Sequence, residues 1–374
     1  MNFDFSAEQL QLRDEARRFL QDRCPPAAVR AILDGPEPYD RALWAGVAEM
    51  GFLGVRIPEE HGGLGLGFLE LCVIAEELGR ALAPLPFSSS VYLATEALLA
   101  AGGETQKARW LPRLAAGEAV GAFALAEGPG QVTPATIRAE ARGGALFGAK
   151  LAVADGDVAD FAVVAAQSDG GLSLFLVDLT HPAVERRAVE TLDPTRSHAR
   201  LVFAGAPAEL LGRPGEGWAL VQQALDRAAV LTAFEQLGGA DKALEAARDY
   251  ALERMAFGRQ IGSFQAVKHM LADMYVSAAL ARANAYFGAW ALASGAPELP
   301  AAAASARISA THAFQLCAKN NIQVHGGMGF TWAFDCHLYY RRSNLLALSL
   351  GGLSEWEDKL IDGLRAKSAQ GQAA

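Results

Sequence analysis

Apolar residues recur every three to four positions over the first third of the chain, a spacing typical of amphipathic helices. The first such segment runs from Ser6 to Leu20, and Ser6 occupies the position of an N-cap ahead of it. Glycine and proline separate the helical segments that follow, which are predicted over residues 40–50, 68–83, 88–101 and 104–116. The beginning of the chain is therefore predicted to be helical throughout.

The pattern changes at Gly121. From there to Phe203 the apolar runs, such as FAVVAA and LSLFLVDL, are too short for such helices and predict strands of a small barrel or sandwich. Long helical patterns return from Gly217 onward, over residues 217–252, 264–293, 301–323 and 335–350. We therefore expect an N-terminal helical domain, a middle β domain and a C-terminal helical domain, at residues 1–120, 121–207 and 208–374.

The composition supports a folded protein with more than one core. Of the 374 residues, 51% are hydrophobic and 20% are charged, which argues against disorder as the dominant state. A single core stops growing near about 250–300 residues, so this length favours two or three subdomains. The formal net charge of −9 argues against a nucleic-acid partner, because phosphates attract a basic surface.

Cysteine spacing and the N-terminus indicate a reducing compartment and no secretory leader. The first residues carry charge at Asp4, Glu8 and Arg13, where a signal peptide would be apolar. No uncharged apolar run of about 18 residues occurs, so we expect a soluble, cytoplasmic protein without a membrane span. The cysteines form no CxxC pair and are widely separated, at Cys24, Cys72, Cys317 and Cys336.

A first candidate site lies where two predicted helices of the C-terminal domain meet. One helix is predicted to end at Arg254, the chain turns through Gly258 and Gly262, and the next helix starts at Ser263. This corner places Arg254 and Gln265 beside a helix N-terminus, which suits a pyrophosphate or an adenine edge. An ordinary helical hairpin with an arginine near a helix C-terminus explains the same residues.

A second candidate site is the glycine loop QVHGGMGF, from Gln323 to Phe330. Its glycines permit a ligand to approach the backbone closely, and they equally suit a helix C-cap. Histidines among glycines, as at His61 and His325, are more often turn residues than catalysts. No GxGxxG follows a strand, no cluster of metal ligands occurs and no GxSxG is present, so we expect no Rossmann site, metal site or hydrolase elbow.

These segments together resemble the acyl-CoA dehydrogenase family along nearly the whole chain. The resemblance rests on the order of MNFDFSAEQLQLRDEARRFL, MGFLGVRIPEEHGGLGL, EELGRALAP, YALERMAFGRQIGSFQAVKHMLADMY and IQVHGGMGFTW. It implies an α+β multidomain fold with an N-terminal helical domain, a middle β-barrel domain and a C-terminal four-helix bundle.

The resemblance also implies an FAD site shared between subunits, and hence a homodimer or homotetramer. A bacterial branch with a similar FTW…D…HLYYRR segment often takes bulky acyl groups, and some of its members form mixed tetramers, so a heterotetramer with a related subunit is the alternative. The residues that match the family's cofactor contacts are Arg254, Phe257, Phe264, Gln265, Gln323, Gly326 and Gly327.

The activity implied by the resemblance is FAD-dependent α,β-dehydrogenation of an acyl-CoA to the trans-2-enoyl-CoA, in fatty acid or lipid catabolism. A carboxylate removes the Cα proton, and the electrons pass to an electron-transfer flavoprotein. In most members this base is a Glu followed by Gly, but an ungapped count brings that slot to Leu350 and Gly351. Glu355 and Glu357 lie several residues further along and need a shift of a full turn to serve.

A minority of the family carries its base on the first long helix of the C-terminal domain, immediately before an arginine. The matching position here is Asp226, followed by Arg227. Asp226 lies next to the predicted buried stripe of that helix, so it is the candidate catalytic base. The alternative is an exposed aspartate that forms an ordinary ion pair.

The β domain departs from the family at two motifs. The usual Thr-Glu-Pro appears as Ala126-Glu127-Gly128-Pro129, and the Trp-x-Thr that covers the flavin ring appears as Ala152-Val153-Ala154. Main-chain N–H groups near residues 125–127 would then have to contact the flavin. These departures leave two alternatives open, a non-catalytic or partner-dependent subunit of a heteromeric acyl-CoA dehydrogenase and a flavin oxidase on the same fold.

Overall fold

The computed structural model describes residues 5–372, which divide into two compact units. The first unit combines the chain up to Val29 with Phe68–Ala83 and with everything from Ala229 onward. The second unit combines Arg30–Gly67 with Pro84–Ala228. The bounds of the three domains expected from the sequence stay a prediction.

Eleven α-helices are found within residues 5–372, and each helical segment that the apolar spacing predicts overlaps at least one of them. Helices α2 and α11 have no counterpart among the segments predicted from apolar spacing, and residues 88–95 form a π-helix rather than the start of an α-helix. The helices are α1 (Ala7–Arg23), α2 (Pro26–Leu33), α3 (Arg41–Glu49), α4 (Phe68–Arg80), α5 (Glu96–Ala101), α6 (Glu104–Ala115), α7 (Gly217–Glu253), α8 (Gln265–Ser294), α9 (Leu299–His325), α10 (Cys336–Leu348) and α11 (Leu353–Gln372).

The start of α1 shows how closely local sequence determines a helix end. The Ser6 hydroxyl accepts a hydrogen bond from the backbone N–H of Gln9, and the Gln9 side chain accepts one from the Ser6 N–H. This reciprocal capping box satisfies two backbone donors that no helical carbonyl reaches. The N-cap predicted at Ser6 is confirmed.

The strands lie almost entirely between Gly121 and Leu211, where the short apolar runs predict them. Strand β6 was not predicted, and a separate two-stranded hairpin of β8 and β9 follows α7. The strands are β1 (Gly121–Ala124), β2 (Glu140–Arg142), β3 (Ala145–Ala154), β4 (Phe161–Ser168), β5 (Gly171–Asp178), β6 (Val184–Ala188), β7 (His198–Leu211), β8 (Met255–Ala256) and β9 (Arg259–Gln260).

Five of these strands close into a ring, so the predicted β-barrel is confirmed. Strand β4 pairs with β5, β5 with β7, β7 with β3, β3 with β2, and β2 returns to β4 through Glu140 and Gln167. Strand β1 pairs in parallel with β4, and β6 pairs with β7. Closure leaves the ring without free edges, which removes the unpaired backbone groups that promote aggregation.

The first unit is a helical bundle in which α9 packs against α8, α10 and α11. The buried Arg307 of α9 ties three helices together, because it donates to the Gln236 side chain of α7 and to the carbonyl oxygens of Leu346 and Ser349 at the end of α10. Burial lowers the pKa of Arg307 to about 10, although the negative charge of Glu235 opposes this shift. Carbonyls at a helix C-terminus carry partial negative charge and therefore stabilise this cation.

Helices α4 and α7 approach each other closely at two glycines of the first unit. A Cβ on Gly79 would overlap the carbonyl oxygen of Glu235, and a Cβ on Gly238 would overlap that of Glu76. Both positions lie inside helices, where glycine costs about 1 kcal/mol relative to alanine. The close contact between the two backbones requires both glycines.

None of the helices in the described part of the chain has both the length and the apolar character that crossing a lipid bilayer requires.

We expect Gly79→Ala to lower the free energy of unfolding by about 3 kcal/mol, because the added methyl group forces α4 and α7 apart. Chemical denaturation with circular dichroism measures the effect. The control is Gly363→Ala on α11, where a Cβ meets no atom within 4 Å. The control should be neutral or stabilising by about 0.5–1 kcal/mol, and equal losses in both variants would contradict the proposed contact.

Candidate functional site

The corner and the glycine loop singled out in the sequence line one groove in the first unit. This groove has a volume of about 400 Å³ and lies where α7 and α9 end. Of the predicted site residues, Arg254, Gly326 and Gly327 line it together. Val324, His325 and Met328 of the predicted glycine loop also line it, although none was named as a cofactor contact, and Tyr250 and Ile261 complete the lining.

The corner between α7 and α8 is a β-hairpin, which corrects the tight helix-to-helix turn expected there. Helix α7 ends at Glu253, β8 and β9 pair with each other, and α8 begins at Gln265 rather than at Ser263. The hairpin turn has positive φ angles at both Phe257 and Gly258, 53° and 77°. This geometry is typical of a type I′ turn, which matches the twist of the paired strands.

Arg254 begins this hairpin and presents its guanidinium to the groove. Its backbone carbonyl accepts a hydrogen bond from the N–H of Ile261, which closes the corner. Within residues 5–372 the side chain of Arg254 forms no ion pair or hydrogen bond. An exposed guanidinium of this kind is available to an anionic ligand.

Two further predicted residues, Phe257 and Phe264, contact each other edge to face with ring centroids 6.2 Å apart. The guanidinium of Arg259 lies over the Phe264 ring, 4.0 Å from its centroid. Phe257 is 96% exposed, and a left-handed backbone conformation at a bulky residue is strained. Phe257 thus combines an exposed aromatic side chain with a left-handed backbone at the tip of the hairpin.

The glycine loop serves as a helix cap and also keeps its surface open. Helix α9 ends at His325, and the N–H of Gly326 donates to the carbonyl of Gln323. Gly326 has φ 60° and ψ −138°, a combination that side chains rarely tolerate. A Cβ on Gly326 or Gly327 would meet no protein atom within 4 Å, so the open space there is free for a ligand. Gln323 and Gln265, the remaining predicted residues, are exposed at the end of α9 and the start of α8.

An aromatic stack that the sequence analysis missed forms one wall of the groove. The rings of Tyr250 and His325 are stacked with centroids 4.1 Å apart, and Phe334 packs edge-on against both. Burial lowers the pKa of His325, although its hydrogen bond to the Asn321 carbonyl opposes the shift. The sequence did contain an indication of this stack, because Tyr250 precedes Arg254 by one helical turn and therefore lies on the same face at the end of α7.

These features fit the ADP half of FAD. Arg254 supplies a cation for the pyrophosphate, the glycines permit close approach of the backbone, and the Tyr250–His325 stack offers an aromatic face. None of the eight lining residues is acidic, so no carboxylate opposes an anion. By contrast, no cluster of three potential metal ligands occurs among the described residues.

The candidate base, Asp226, lies on α7 in the second unit and is only 6% exposed. It is more deeply buried than the neighbouring Trp218 and Leu225, which are half-buried. The alternative of an exposed surface aspartate at this position is therefore wrong. The adjacent Arg227 forms an ion pair with Glu96, with 3.5 Å between Nη1 and Oε2.

The slot that holds the base in most relatives offers no carboxylate here. Leu350 has a φ of 63°, and its carbonyl accepts a hydrogen bond from Nε1 of Trp356 at 3.1 Å. The Glu355 carboxylate accepts the N–H of Gly352 at the start of α11. Glu355 therefore caps the N-terminus of α11, and this structural role accounts for a glutamate at this position.

In the β domain, a buried ion pair holds the segment that replaces Thr-Glu-Pro. The Lys150 amine is fully buried and donates to the Leu125 carbonyl at 3.0 Å and to the Glu127 carboxylate at 2.7 Å. The Glu127 carboxylate also accepts the backbone N–H groups of Arg138 and Ala139. Three segments of the chain, residues 125–127, residues 138–139 and β3, thus meet at one carboxylate.

The two charges respond differently to this environment. Burial lowers the pKa of Lys150, although the hydrogen bond and charge of Glu127 oppose the shift. Burial works to raise the pKa of Glu127, but the hydrogen bonds from Lys150 and from the backbone outweigh it and lower that pKa. Ala152 follows at a bulge in β3 with a φ of 51°.

Comparison with known proteins identifies similar chains over nearly the whole length. The family model described as acyl-CoA dehydrogenase, N-terminal domain, matches residues 6–118, and that described as acyl-CoA dehydrogenase, C-terminal domain, matches residues 215–361. The acyl-CoA dehydrogenase IpdE2 of Mycobacterium tuberculosis is 37% identical, over 90% of this chain and 91% of its own length.

Solved structures agree with these matches. A chain of the Tcur3481-Tcur3483 steroid ACAD, in its G363A variant, has a TM-score of 0.89 with 32% identity, and the match covers 97% of this chain and 99% of that one. A chain of the ChsE4-ChsE5 complex from Mycobacterium tuberculosis has a TM-score of 0.90 with 28% identity, and the match covers 98% of this chain and 99% of that one.

We expect Lys150→Met to lower the free energy of unfolding by about 3 kcal/mol, because it leaves the Glu127 carboxylate without its cation. The exposed pair Arg109–Glu209 of the same unit is the control, and Arg109→Met should cost at most about 1 kcal/mol.

Because the folded-state pKa of Glu127 is lowered, its stabilisation is present above the ordinary glutamate pKa and is lost as the pH falls. The stability difference between wild type and Glu127→Gln should therefore shrink in acid, and a difference that grows there would contradict the assignment.

Proposed function

The chain belongs to the acyl-CoA dehydrogenase family and is an oxidoreductase that acts on an acyl-CoA, and we propose that it converts its substrate to the trans-2-enoyl-CoA with Asp226 as the base. The members of this family are flavoproteins that depend on FAD. When bound, FAD supplies the acceptor for the hydride that leaves Cβ. The electrons then pass to an electron-transfer flavoprotein.

The buried carboxylate of Asp226 is the observation that carries this proposal. A thioester α-proton is weakly acidic, so its removal requires a base held in a site from which water is excluded. Asp226 is 6% exposed on a continuous helix of 37 residues, whereas the alternative slot holds Leu350. The carboxylate of Asp226 takes the Cα proton in the proposed reaction.

The groove of the first unit supports the proposed FAD site. Arg254 pairs with the pyrophosphate, and Gly326 and Gly327 let the cofactor lie against the backbone. Phe257, Phe264, Gln265 and Gln323 complete the set, and the exposure of Phe257 supports contributions from a second subunit. The minimum assembly is therefore a dimer, and either a homotetramer or a heterotetramer with a related subunit is compatible with it.

In the β domain, the Lys150–Glu127 pair holds the backbone of residues 125–127 for contact with the flavin ring. The carbonyl of Ala126 accepts the N–H of Leu151, so this segment is fixed from both sides. Ala154 offers no hydroxyl, and main-chain N–H groups take over that contact in our proposal.

A bulky acyl-CoA is the substrate class that we propose. The support is the likeness to a chain of the Tcur3481-Tcur3483 steroid ACAD, together with the FTW…D…HLYYRR segment. The likeness to a chain of the ChsE4-ChsE5 complex favours the heterotetramer as a second candidate assembly, in which a partner subunit complements this one. Light scattering of the purified chain distinguishes the two assemblies, because the mass of a tetramer of this chain alone supports the homotetramer and a smaller mass contradicts it.

We expect Asp226→Asn to slow flavin reduction by about 10²- to 10⁴-fold, because the amide cannot take up the α-proton. Anaerobic mixing with butyryl-CoA, isovaleryl-CoA, glutaryl-CoA and a steroid side-chain CoA thioester measures bleaching of the flavin band. The controls are Asp249→Asn, an exposed aspartate of the same helix, and Glu355→Gln. Wild-type bleaching in Asp226→Asn, or its loss in Glu355→Gln, would remove Asp226 as the base, and no bleaching by any of the four in wild type would contradict the proposed activity.

We expect Arg254→Gln to raise the dissociation constant for FAD by about 10- to 100-fold, because one charge-assisted contact with the pyrophosphate is lost. Titration of the apoprotein with FAD, followed by flavin fluorescence, measures it without any substrate. Arg248→Gln is the matched control, since Arg248 is exposed near the same helix end and pairs with Asp249. Equal FAD affinities in the two variants would show that Arg254 does not bind the cofactor.

A further inference from the structure

The groove at the ends of α7 and α9 contains a histidine that our assignment of cofactor contacts does not use. His325 is the last residue of α9 and lines the groove together with Arg254, Gly326 and Gly327. Its ring is stacked on that of Tyr250, with the centroids 4.1 Å apart. His325 therefore belongs to the wall that a ligand in the groove contacts, although the residue is only 8% exposed.

One hydrogen bond determines which ring nitrogen of His325 carries a hydrogen. Nδ1 lies 2.8 Å from the carbonyl oxygen of Asn321, and a carbonyl oxygen can only accept. Nδ1 is therefore the donor, and Nε2 carries the lone pair of the neutral imidazole. Within residues 5–372, Nε2 of His325 forms no hydrogen bond. Nε2 is thus the atom that can take up a proton and become a second donor.

The surroundings of the ring allow this proton to respond to an anion. Arg254 is the one charged side chain among the eight residues that line the groove, so no carboxylate there pairs with an imidazolium. The rings packed against His325 belong to Tyr250 of α7 and to Phe334 of the loop before α10, and neither is an acid that could hold the proton. Burial lowers the pKa of His325 and the Asn321 hydrogen bond opposes the shift, so the imidazole by itself is neutral at pH 7.

We propose that His325 is the second anion-binding group of this groove: its imidazole takes up a proton at Nε2 when the pyrophosphate of FAD binds beside Arg254, and it then donates a hydrogen bond to a phosphate oxygen. This inference rests on the proposed function, because it takes the groove as the FAD site. The proton comes from solvent, so binding of the cofactor is coupled to pH.

The direction of this coupling follows from linkage between proton and ligand. A nearby phosphate stabilises the imidazolium, so the pKa of His325 is higher in the complex than in the free protein. FAD affinity therefore increases as the pH falls through the pKa of the complex, and the increase ends below the pKa of the free protein. Tyrosine and arginine side chains keep their charge state between pH 6 and pH 8, and so does a pyrophosphate esterified at both ends.

The central experiment titrates the apoprotein with FAD at pH 8 and at pH 6, at constant ionic strength, with flavin fluorescence as the readout. In wild type we expect the dissociation constant to fall by about 5-fold or more from pH 8 to pH 6. His325→Phe keeps an aromatic ring against Tyr250 but cannot take up a proton, so its dissociation constant should change by less than about 2-fold. The affinities of the two proteins should lie closest together at pH 8.

Two further variants serve as controls. His312→Gln removes an exposed histidine of the same helix and should keep the wild-type pH dependence. Arg254→Gln should weaken FAD binding at both pH values and still bind more tightly at pH 6, because His325 is intact.

Calorimetry in buffers of different ionisation enthalpy counts the protons taken up on binding and needs no substrate. The probe is ADP-ribose, which contains the adenosine pyrophosphate of FAD without the flavin ring. Near pH 7 we expect wild type to take up about 0.5 proton or more per ligand, and His325→Phe to take up almost none.

The possible results separate this inference from the proposed function. If wild type and Arg254→Gln bind FAD equally well, the proposed cofactor site is wrong. If Arg254→Gln binds weakly but wild type has the same affinity at pH 6 and pH 8, or if His325→Phe keeps the full pH dependence, only the role of His325 is wrong. If His325→Phe does not fold, His325→Gln takes its place, and the absence of proton uptake in wild type overturns the inference without any variant.

Discussion

The close crossing of α4 and α7 at Gly79 and Gly238 is the contact on which the first unit depends. Without a Cβ at either position, the backbones approach closely enough for the charged side chains around the crossing to meet. Arg282 of α8 reaches both Glu76 and Asp241, and Arg80 reaches Glu245. Paired in this way, the buried carboxylates are compatible with a core made largely of alanine and leucine.

The second unit also contains buried charges, and two smaller clusters neutralise them. Lys150 and Glu127 neutralise each other and fix residues 125–127 of the barrel, while Arg56 and Arg227 share Glu96. In both clusters the buried charge is matched by donors from segments distant in sequence. The partners of these charges, rather than local helix or strand preference, hold the loops that our proposals assign to the flavin ring and to the base.

The departures from the family pattern acquire a physical interpretation in this structure. Leu350 and Glu355 occupy a segment whose polar groups are used for capping, since Glu355 binds the N–H of Gly352 and Trp356 binds the Leu350 carbonyl. A proton acceptor is absent from the usual slot, and a buried aspartate is present on α7. The groove at Arg254 presents features that suit a nucleotide, namely a cation, two glycines and an aromatic stack.

The sequence alone determined the element order, the Ser6 cap and the change from helices to strands at Gly121, because these depend on local periodicity and capping chemistry. It also indicated Arg254, Gly326 and Gly327, whose gathering in one groove the structure then showed. The hairpin at Phe257 escaped prediction, since a left-handed phenylalanine is unusual in a turn that favours asparagine or glycine. Only the tertiary structure decided that Glu96 is buried between Arg56 and Arg227, which lie 40 and 131 residues away, because burial depends on contacts between segments that no local pattern encodes.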